Sequence, residues 1–284
     1  MTVDAALLLM ALFWAANMIV LKSLLQHLPP PALSCVRFAI VALVGLVVLA
    51  ARGGPVRIER RDWPKLIFSS FLGITLYQVL FMEGLDRTTA FVSNLMQGTE
   101  PLFALLLLRL VGRSVLARQW AGVLVAFLGA ILFFLQEAKG GLQVAFGFGD
   151  LLNVTSAIAF AGYGLLSGDL FERYPGRTVM ALSMMIGTLP LVPWSWKELV
   201  AMDWAAIPWG VWAAMLFSAL LPVYIGYWIW NWAVAKKGLA HASLYIFVDI
   251  VVTGVFAWLF LGEHFGWLRL LGAAVILAGV RLAR

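Results

Sequence analysis

Apolar positions gather along this chain in about ten stretches of roughly twenty residues, separated by short polar connections. A helix of that length crosses about 30 Å of hydrocarbon, so the pattern predicts membrane-spanning α-helices. In the first half they cover Val3–Leu25, Pro31–Ala51, Pro64–Gly84, Ala90–Leu110 and Arg118–Leu135. In the second half they cover Gly149–Leu170, Thr178–Trp196, Ile207–Ala235, Ala240–Leu261 and Trp267–Leu282. The first stretch is too long for a signal-peptide core and has no basic region ahead of it, so it reads as a retained helix.

The second half reads as a diverged copy of the first. Sliding the sequence by 150 positions without a gap lays Tyr77 on Tyr227, Ala90 on Ala240 and Ser93 on Ser243. The same shift lays Gly112 on Gly262, Gly122 on Gly272 and Gly129 on Gly279. A unit of five helices, an odd number, enters the membrane from the opposite side when it is repeated. The expected fold is therefore all-α and integral to the membrane, with ten transmembrane helices in two five-helix repeats of inverted topology. Residues 1–135 form the first repeat, 136–149 the linker and 150–284 the second repeat. Two such halves around a shared midplane site are a recurring plan of secondary transporters.

Composition supports the membrane reading. Hydrophobic residues make up 63% of the chain and charged residues 12%, against roughly 45–50% and 25% in a soluble domain. The connections carry helix-breaking residues, as in Leu28-Pro29-Pro30-Pro31, Lys139-Gly140-Gly141 and Pro175-Gly176. The net charge of +6 raises nucleic acid as a partner, and its distribution argues against one. With the N-terminus placed inside, 14 of the 20 Lys and Arg fall on the inner side and 6 outside, Arg37 and Arg269 among the latter. Positive loops stay cytoplasmic, so both termini are expected in the cytoplasm.

Of the 14 Asp and Glu, only Glu100 and Asp249 lie deep inside a predicted span. Under the 150-residue shift Asp249 falls on Thr99, which puts the two carboxyl groups at nearly equivalent depths. Each costs about 3 kcal/mol at the centre of an inserting helix, so such groups normally face the protein interior or a wet cavity. They suit substrate binding or proton coupling, because a buried carboxyl group holds its proton more tightly. The alternative is a polar clamp between helices four and nine. Ser93, Gln97 and Glu100 recur at i, i+4 and i+7 and share one helix face. Gly98 and Pro101 loosen that helix, a break tolerated where backbone lines a cavity. Helix nine shows a parallel face in Tyr245, Asp249 and Thr253.

A second group of candidate substrate contacts comes from helices one, three, six and eight. These are Trp14 and Asn17, Tyr77 and Gln78, Tyr163, and Tyr224, Tyr227, Trp228 and Asn231. Rings near a carboxylate suit an amphipathic cation or the ammonium of an amino acid, although membrane aromatics commonly serve packing. An amide in hydrocarbon needs a partner, which favours Asn17. Pro222 is a candidate kink or hinge in helix eight.

Other features have simpler readings. Trp194, Trp196, Trp204, Trp209 and Trp212 crowd one outward connection as interfacial anchors, with a substrate gate as the alternative. Gly122, Ala126 and Ala130, and Ala274 and Ala278, stand at four-residue spacing and let helices approach closely, within a monomer or across a homodimer. Cys35 is alone and reads as a small buried residue. His27, His241 and His264 lie near segment ends without metal-ligand spacing, so no metal and no cofactor is expected. No nucleophile elbow or phosphate-cradling loop is present in the sequence.

The run Phe13-Trp14-Ala15-Ala16-Asn17, followed by Lys22, the prolines at 29–31 and Arg37-Phe38, resembles the opening of EamA-type members of the drug/metabolite transporter superfamily. The stretch from Ala90 through Pro101-Leu102-Phe103 is similar to the same family, as is Leu261-Gly262-Glu263. Two departures are Arg113 after Gly112, where the family often has an acidic residue, and Val251 where the first copy has Pro101. The resemblance implies a ten-helix inner-membrane carrier with a central cavity lined by helices one, three, four, six, eight and nine. Many such members export amino acids or related metabolites, and others move nucleosides, cofactors or cationic drugs.

The reading favoured by these observations is a secondary transporter, not an enzyme, that exports small zwitterionic metabolites such as amino acids by alternating access. Glu100 and Asp249 would bind an ammonium group or a proton, and Gln97, Asn17 and Tyr227 would orient the substrate. A multidrug exporter of aromatic cations is the rival within the class. An intramembrane lipid-modifying enzyme is the rival outside it, and the sequence lacks the nucleophile or metal cluster it would need.

Overall fold

Inside hydrocarbon a backbone N–H has no water to bond, so an apolar block satisfies itself by coiling into a helix. The computed structural model describes residues 2–53, 57–139, 146–261 and 266–284, and these form helices and short connections without a strand. Ten helical segments follow in chain order: α1 Val3–Leu24, α2 Pro30–Ala51, α3 Arg60–Arg87, α4 Ala90–Leu110 and α5 Ala117–Lys139. The second half holds α6 Phe148–Arg173, α7 with arms Gly176–Thr188 and Leu191–Ala201, α8 Trp209–Lys237, α9 Leu239–Leu261 and α10 Trp267–Ala283. Among the described residues eight helices, α1 to α6, α8 and α9, are long and apolar enough to cross a membrane, and nine if the arms of α7 make one span. At 17 residues, α10 reaches about 25 Å. The Gly262-Glu263 pair and His264 lie outside the described residues, as does the centre of the expected linker at 140–145.

Ordinary signals start these helices. The Thr2 and Thr89 hydroxyls accept hydrogen bonds from Ala5 N and Val92 N, capping α1 and α4. Prolines stand in the first turn of α2 and of the second arm of α4, where a missing N–H leaves no bond unmade.

The helices are interrupted at midspan in four places. α4 ends its first arm at Gln97, turns through Gly98 and Thr99, and restarts at Glu100. α3 and α8 each widen into a π-helical turn, over Phe71–Leu76 and Ala219–Ile225. Pro222 sits in the second of these turns. The first has no proline but contains Gly73, where a Cβ would stand 2.2 Å from Cγ of Tyr163. Where the apolar pattern suggests one span over Thr178–Trp196, α7 bends by 60°. Pro190 at the bend has no N–H to donate, and its ring displaces the carbonyl four residues back.

The last helices of the two halves, α5 and α10, lie along each other. Their backbones meet at glycine. A Cβ on Gly122 would stand 2.6 Å from Gly279 O, and one on Gly272 would stand 2.8 Å from Gly129 O. Ala126 and Ala130 line the same seam and are fully buried. Ala274 and Ala278 do not, for both are exposed; on α10 the seam runs through Gly272, Ile276 and Gly279 at i, i+4 and i+7.

The end of the bundle that carries both chain termini is tied by charged groups. Asp62 accepts from Arg173 at 2.8 Å and from the Tyr174 hydroxyl at 2.6 Å, which joins the start of α3 to the end of α6. Asp169 accepts from Lys65 and, at 3.0 Å, from Arg113. Asp4 meets His241 at 2.7 Å and Arg284 at 3.7 Å, so His241 has a fixed partner besides interfacial water. Two charges counted above on the outer side are inside the protein: Arg37 and Arg269 are each only 2% exposed. Charge counting assigns every arginine to its nearest membrane face and cannot see which way the side chain folds.

Adding one methyl group at Gly122 forces helix backbones apart, and overpacking of this kind costs about 1–3 kcal/mol. We expect Gly122→Ala to lower the melting temperature of the detergent-purified protein by several degrees, while Ala274→Val on the exposed side of α10 leaves it unchanged. Equal melting temperatures would show that the seam carries no packing energy.

Candidate functional site

Seven helices converge on one cavity of about 70 Å³. It is walled by Trp14, Asn17 and Met18 of α1, Arg37 and Phe38 of α2, and Tyr77, Gln78 and Phe81 of α3. Asn94 and Gln97 come from α4, Phe160 from α6, Pro222, Val223 and Tyr227 from α8, and Ile246 and Asp249 from α9. The wall therefore follows the interruptions: the residues after the π turn of α3, within and after that of α8, and before the break in α4.

The interruptions also orient the rings. A buried carbonyl is an obligatory acceptor, and two carbonyls of the π turns take their bonds from aromatic side chains. Trp14 Nε1 donates to Pro222 O at 3.0 Å, and the Tyr227 hydroxyl donates to Gly73 O at 2.9 Å. Phe160 sits at the hub of the aromatic wall, with its ring centroid 4.9 Å from that of Tyr77, 5.7 Å from Trp14 and 5.8 Å from Tyr227. Edge-on and tilted geometries of this kind add to the energy of burial and leave little room for a ring to swing.

The polar groups fall into two sets. One set is satisfied by neighbours: Gln97 donates to Ser156 Oγ at 2.7 Å, Ser93 to Asn153 Oδ1 at 2.9 Å, and Asn94 to Thr253 Oγ1 at 2.8 Å. Arg37 Nη1 donates to Ser218 Oγ at 3.1 Å, and that hydroxyl donates to Asn17 Oδ1 at 2.5 Å. The other set has unused capacity. Among the described residues no hydrogen-bond partner reaches Asp249 Oδ1, Arg37 Nε or either carboxyl oxygen of Glu100, all of them buried. A buried polar group without a partner is costly, and of these atoms those of Asp249 and Arg37 belong to residues on the cavity wall. Among the described residues no group of His, Cys, Asp and Glu could hold a metal ion.

Of the residues singled out from sequence, the structure brings Trp14, Asn17, Tyr77, Gln78, Gln97, Tyr227, Asp249 and Pro222 to the cavity wall. Others lie elsewhere. Glu100 is fully buried but off the wall, because the turn at Gly98 and Thr99 ends the register that its spacing from Ser93 assumes. Pro101 is buried beside it. Tyr163 and Asn231 bond each other behind the wall, with Asn231 Nδ2 2.5 Å from the Tyr163 hydroxyl. Tyr224 is half-buried. Trp228 lines a separate cavity with Phe171, Glu172, Trp232 and Lys236; successive helical residues point about 100° apart, so Tyr227 and Trp228 cannot both face inward. Tyr245 accepts from Arg284 at the charged end. The step from Tyr245 to Asp249 on α9 turns by about 40° and rises about 6 Å, which carries Tyr245 away from Asp249 toward the charged end. The wall residues that sequence reasoning missed are Arg37, Phe38, Asn94, Phe160 and their apolar neighbours. Arg37-Phe38 stood within the family-like run, and that was the available signal; Phe160 carries no polar mark at all.

The pattern of the EamA-like transporter family matches residues 1–135 and 147–284. The chain belongs to the EamA-like transporter family. It is similar to a Streptantibioticus cattleyicolor protein named "Probable terminal-alkyne amino-acid exporter", with 29% identity over 98% of this chain and 91% of that protein. A Salmonella typhimurium protein named "Probable amino-acid metabolite efflux pump" is 25% identical over 96% of this chain and 91% of its own length. "Uncharacterized transporter YyaM" of Bacillus subtilis is 26% identical over 96% of this chain and 90% of its length. A solved crystal structure superposes on 99% of this chain with a TM-score of 0.76 at 20% identity, a likeness of fold alone. The EamA-like family and these relatives are transporters and not enzymes, which sets aside the lipid-modifying reading. This EamA-like chain is a multi-pass membrane transporter of small molecules, and its helix α2 joins the six expected to line the cavity.

Trp14→Phe keeps the ring and removes the donor to Pro222. We expect it to cost about 1–3 kcal/mol through the orphaned carbonyl, read as a lower denaturation midpoint in detergent. An unchanged midpoint would mean that the carbonyl has another partner.

Proposed function

We propose that this protein is a secondary transporter of the cell inner membrane that exports small zwitterionic metabolites, amino acids foremost, by alternating access to the central cavity. The observation that carries the proposal is the cavity itself: amides, aromatic rings and the half-satisfied carboxyl group of Asp249 meet where α3, α4 and α8 are interrupted. Rings beside a carboxylate recognise an ammonium group by charge and by cation–π attraction. Relatives named as exporters of amino acids or their metabolites agree with that substrate class.

Its volume supports the alternating cycle. About 70 Å³ is far below the ~300–1,000 Å³ of pockets that hold small molecules, so helices must separate to admit a substrate. Under the inner-termini topology, the clusters at Asp62 and Asp169 close the cytoplasmic side. Partly exposed ion pairs contribute only about 0–1 kcal/mol each, which makes a latch that a transport cycle can open.

Two features support a ten-span, inverted-repeat architecture. The π turns fall within two residues of each other under the 150-residue shift. The seam pairs Gly122 with Gly279 and Gly129 with Gly272, and the same shift turns each pair into the other, as a two-fold axis between α5 and α10 requires. In this reading residues 1–135 and 150–284 are the repeats and 136–149 is the linker.

Asp249 takes the ammonium group or a proton in this proposal, and Glu100, buried without a donor, is the second proton-loading group. Asn17, Gln97 and Tyr227 orient the substrate. A second reading, export of aromatic cations, draws on the same rings. Counterflow in proteoliposomes with a metabolite panel, run with and without a pH gradient, distinguishes them: saturable amino-acid flux supports the first, and flux confined to lipophilic cations supports the second.

For Asp249→Asn we expect amino-acid flux to fall about 10–100-fold, the loss of one charge-assisted contact, with no remaining response to the pH gradient. Glu100→Gln should keep substrate affinity and lose only the pH response. Wild-type flux and pH dependence in both variants would remove the two carboxyl groups from the cycle.

A further inference from the structure

Arg37 is the group the proposed function leaves without a task. It stands one-third of the way along α2 and is 2% exposed, yet it lines the central cavity. A guanidinium keeps its charge at physiological pH and offers five N–H donors in a planar fork. Of these, Nη1 meets Ser218 Oγ, Nε has no partner among the described residues, and the carbon of the group lies 5.4 Å from the Phe38 ring centroid. Among the described residues no carboxylate forms an ion pair with it, Asp249 included. Arg37, Tyr77 and Asp249 nonetheless line the same cavity. The wall thus holds a cation and a carboxyl group across one small space, each with hydrogen-bonding capacity left over.

We infer that Arg37 is a substrate-binding residue that receives the carboxylate of an α-amino acid while Asp249 receives its ammonium group. This assignment rests on the amino-acid reading given above and extends it to the other end of the substrate. A guanidinium binds a carboxylate through two parallel, charge-assisted N–H···O bonds, and a zwitterion placed between the two walls satisfies both at once. The Ser218 hydroxyl, itself bonded to Asn17, fixes the orientation of the guanidinium fork. Arg37 also supplies selectivity by repulsion. A substrate with only a positive charge would meet Asp249 but leave the buried guanidinium without a counter-charge and add a like charge beside it, which disfavours the aromatic-cation reading.

The test compares substrates that differ by one charged group in proteoliposome counterflow: phenylalanine, phenethylamine and 3-phenylpropionate, then leucine and isoamylamine. Wild-type protein should exchange each amino acid at least about tenfold faster than the amine that lacks its carboxylate. Arg37→Gln should erase that preference by lowering amino-acid exchange and raising amine exchange. Arg37→Lys, which keeps the charge without the fork, should raise KM several-fold and leave kcat near its original value. A fall in kcat of equal size for every substrate, with KM unchanged, would make Arg37 a structural clamp and overturn the assignment. So would wild-type protein that exchanges the amines as readily as the amino acids, a result that holds even where Arg37→Gln fails to fold. Wild-type amino-acid exchange that persists in Arg37→Gln defeats the Arg37 assignment alone, whereas wild-type protein that moves no amino acid defeats the transport reading beneath it.

Discussion

A membrane helix satisfies its own backbone, and this protein interrupts that arrangement where it builds its cavity. The π turns of α3 and α8 and the turn in α4 present backbone groups at a depth where water is not the ready partner. Side chains answer them. Trp14 and Tyr227 spend their only donors on the carbonyls of Pro222 and Gly73, and those bonds set the walls in which Asp249 and Arg37 stand. The polar interior is consequently a product of the broken helices rather than a hole left between intact ones.

The aromatic rings have two duties at once. Phe160 packs against Trp14, Tyr77 and Tyr227, so the rings that wall the cavity also hold α1, α3 and α8 against α6. Changing one ring for the sake of specificity therefore disturbs α1, α3 and α8 together. Asn94 and Gln97 show the same economy on α4, for each faces the cavity while bonding a residue of α9 or α6.

Much of this was legible from residue order because the bilayer demands long apolar blocks, which made the helices visible. The cost of a carboxyl group in lipid drew attention to Asp249, and Pro222 announced its own irregular turn. What escaped did so for physical reasons. Arg37 was counted with the outer face because hydropathy reports how far a residue lies from a segment end and not which way its side chain turns. Glu100 was placed by helical spacing across a break that cancels the spacing. The π turn of α3 carries no proline, and its marker, Gly73, is one glycine among 26. Phe160 is an apolar residue in an apolar helix, so only its neighbours reveal its place.

Backbone meeting backbone along α5 and α10 leaves no layer of side chains to compress or shear between them. The cavity, by contrast, is enclosed by helices whose long side chains can repack. Mechanical compliance is thus distributed unevenly: the glycine seam is a stiff spine, and the more yielding contacts lie among the seven helices around the cavity, α1, α2, α3, α4, α6, α8 and α9. A ligand or lipid that wedged between α5 and α10 would have to deform the frame itself, while one that entered the cavity would meet only its adjustable lining.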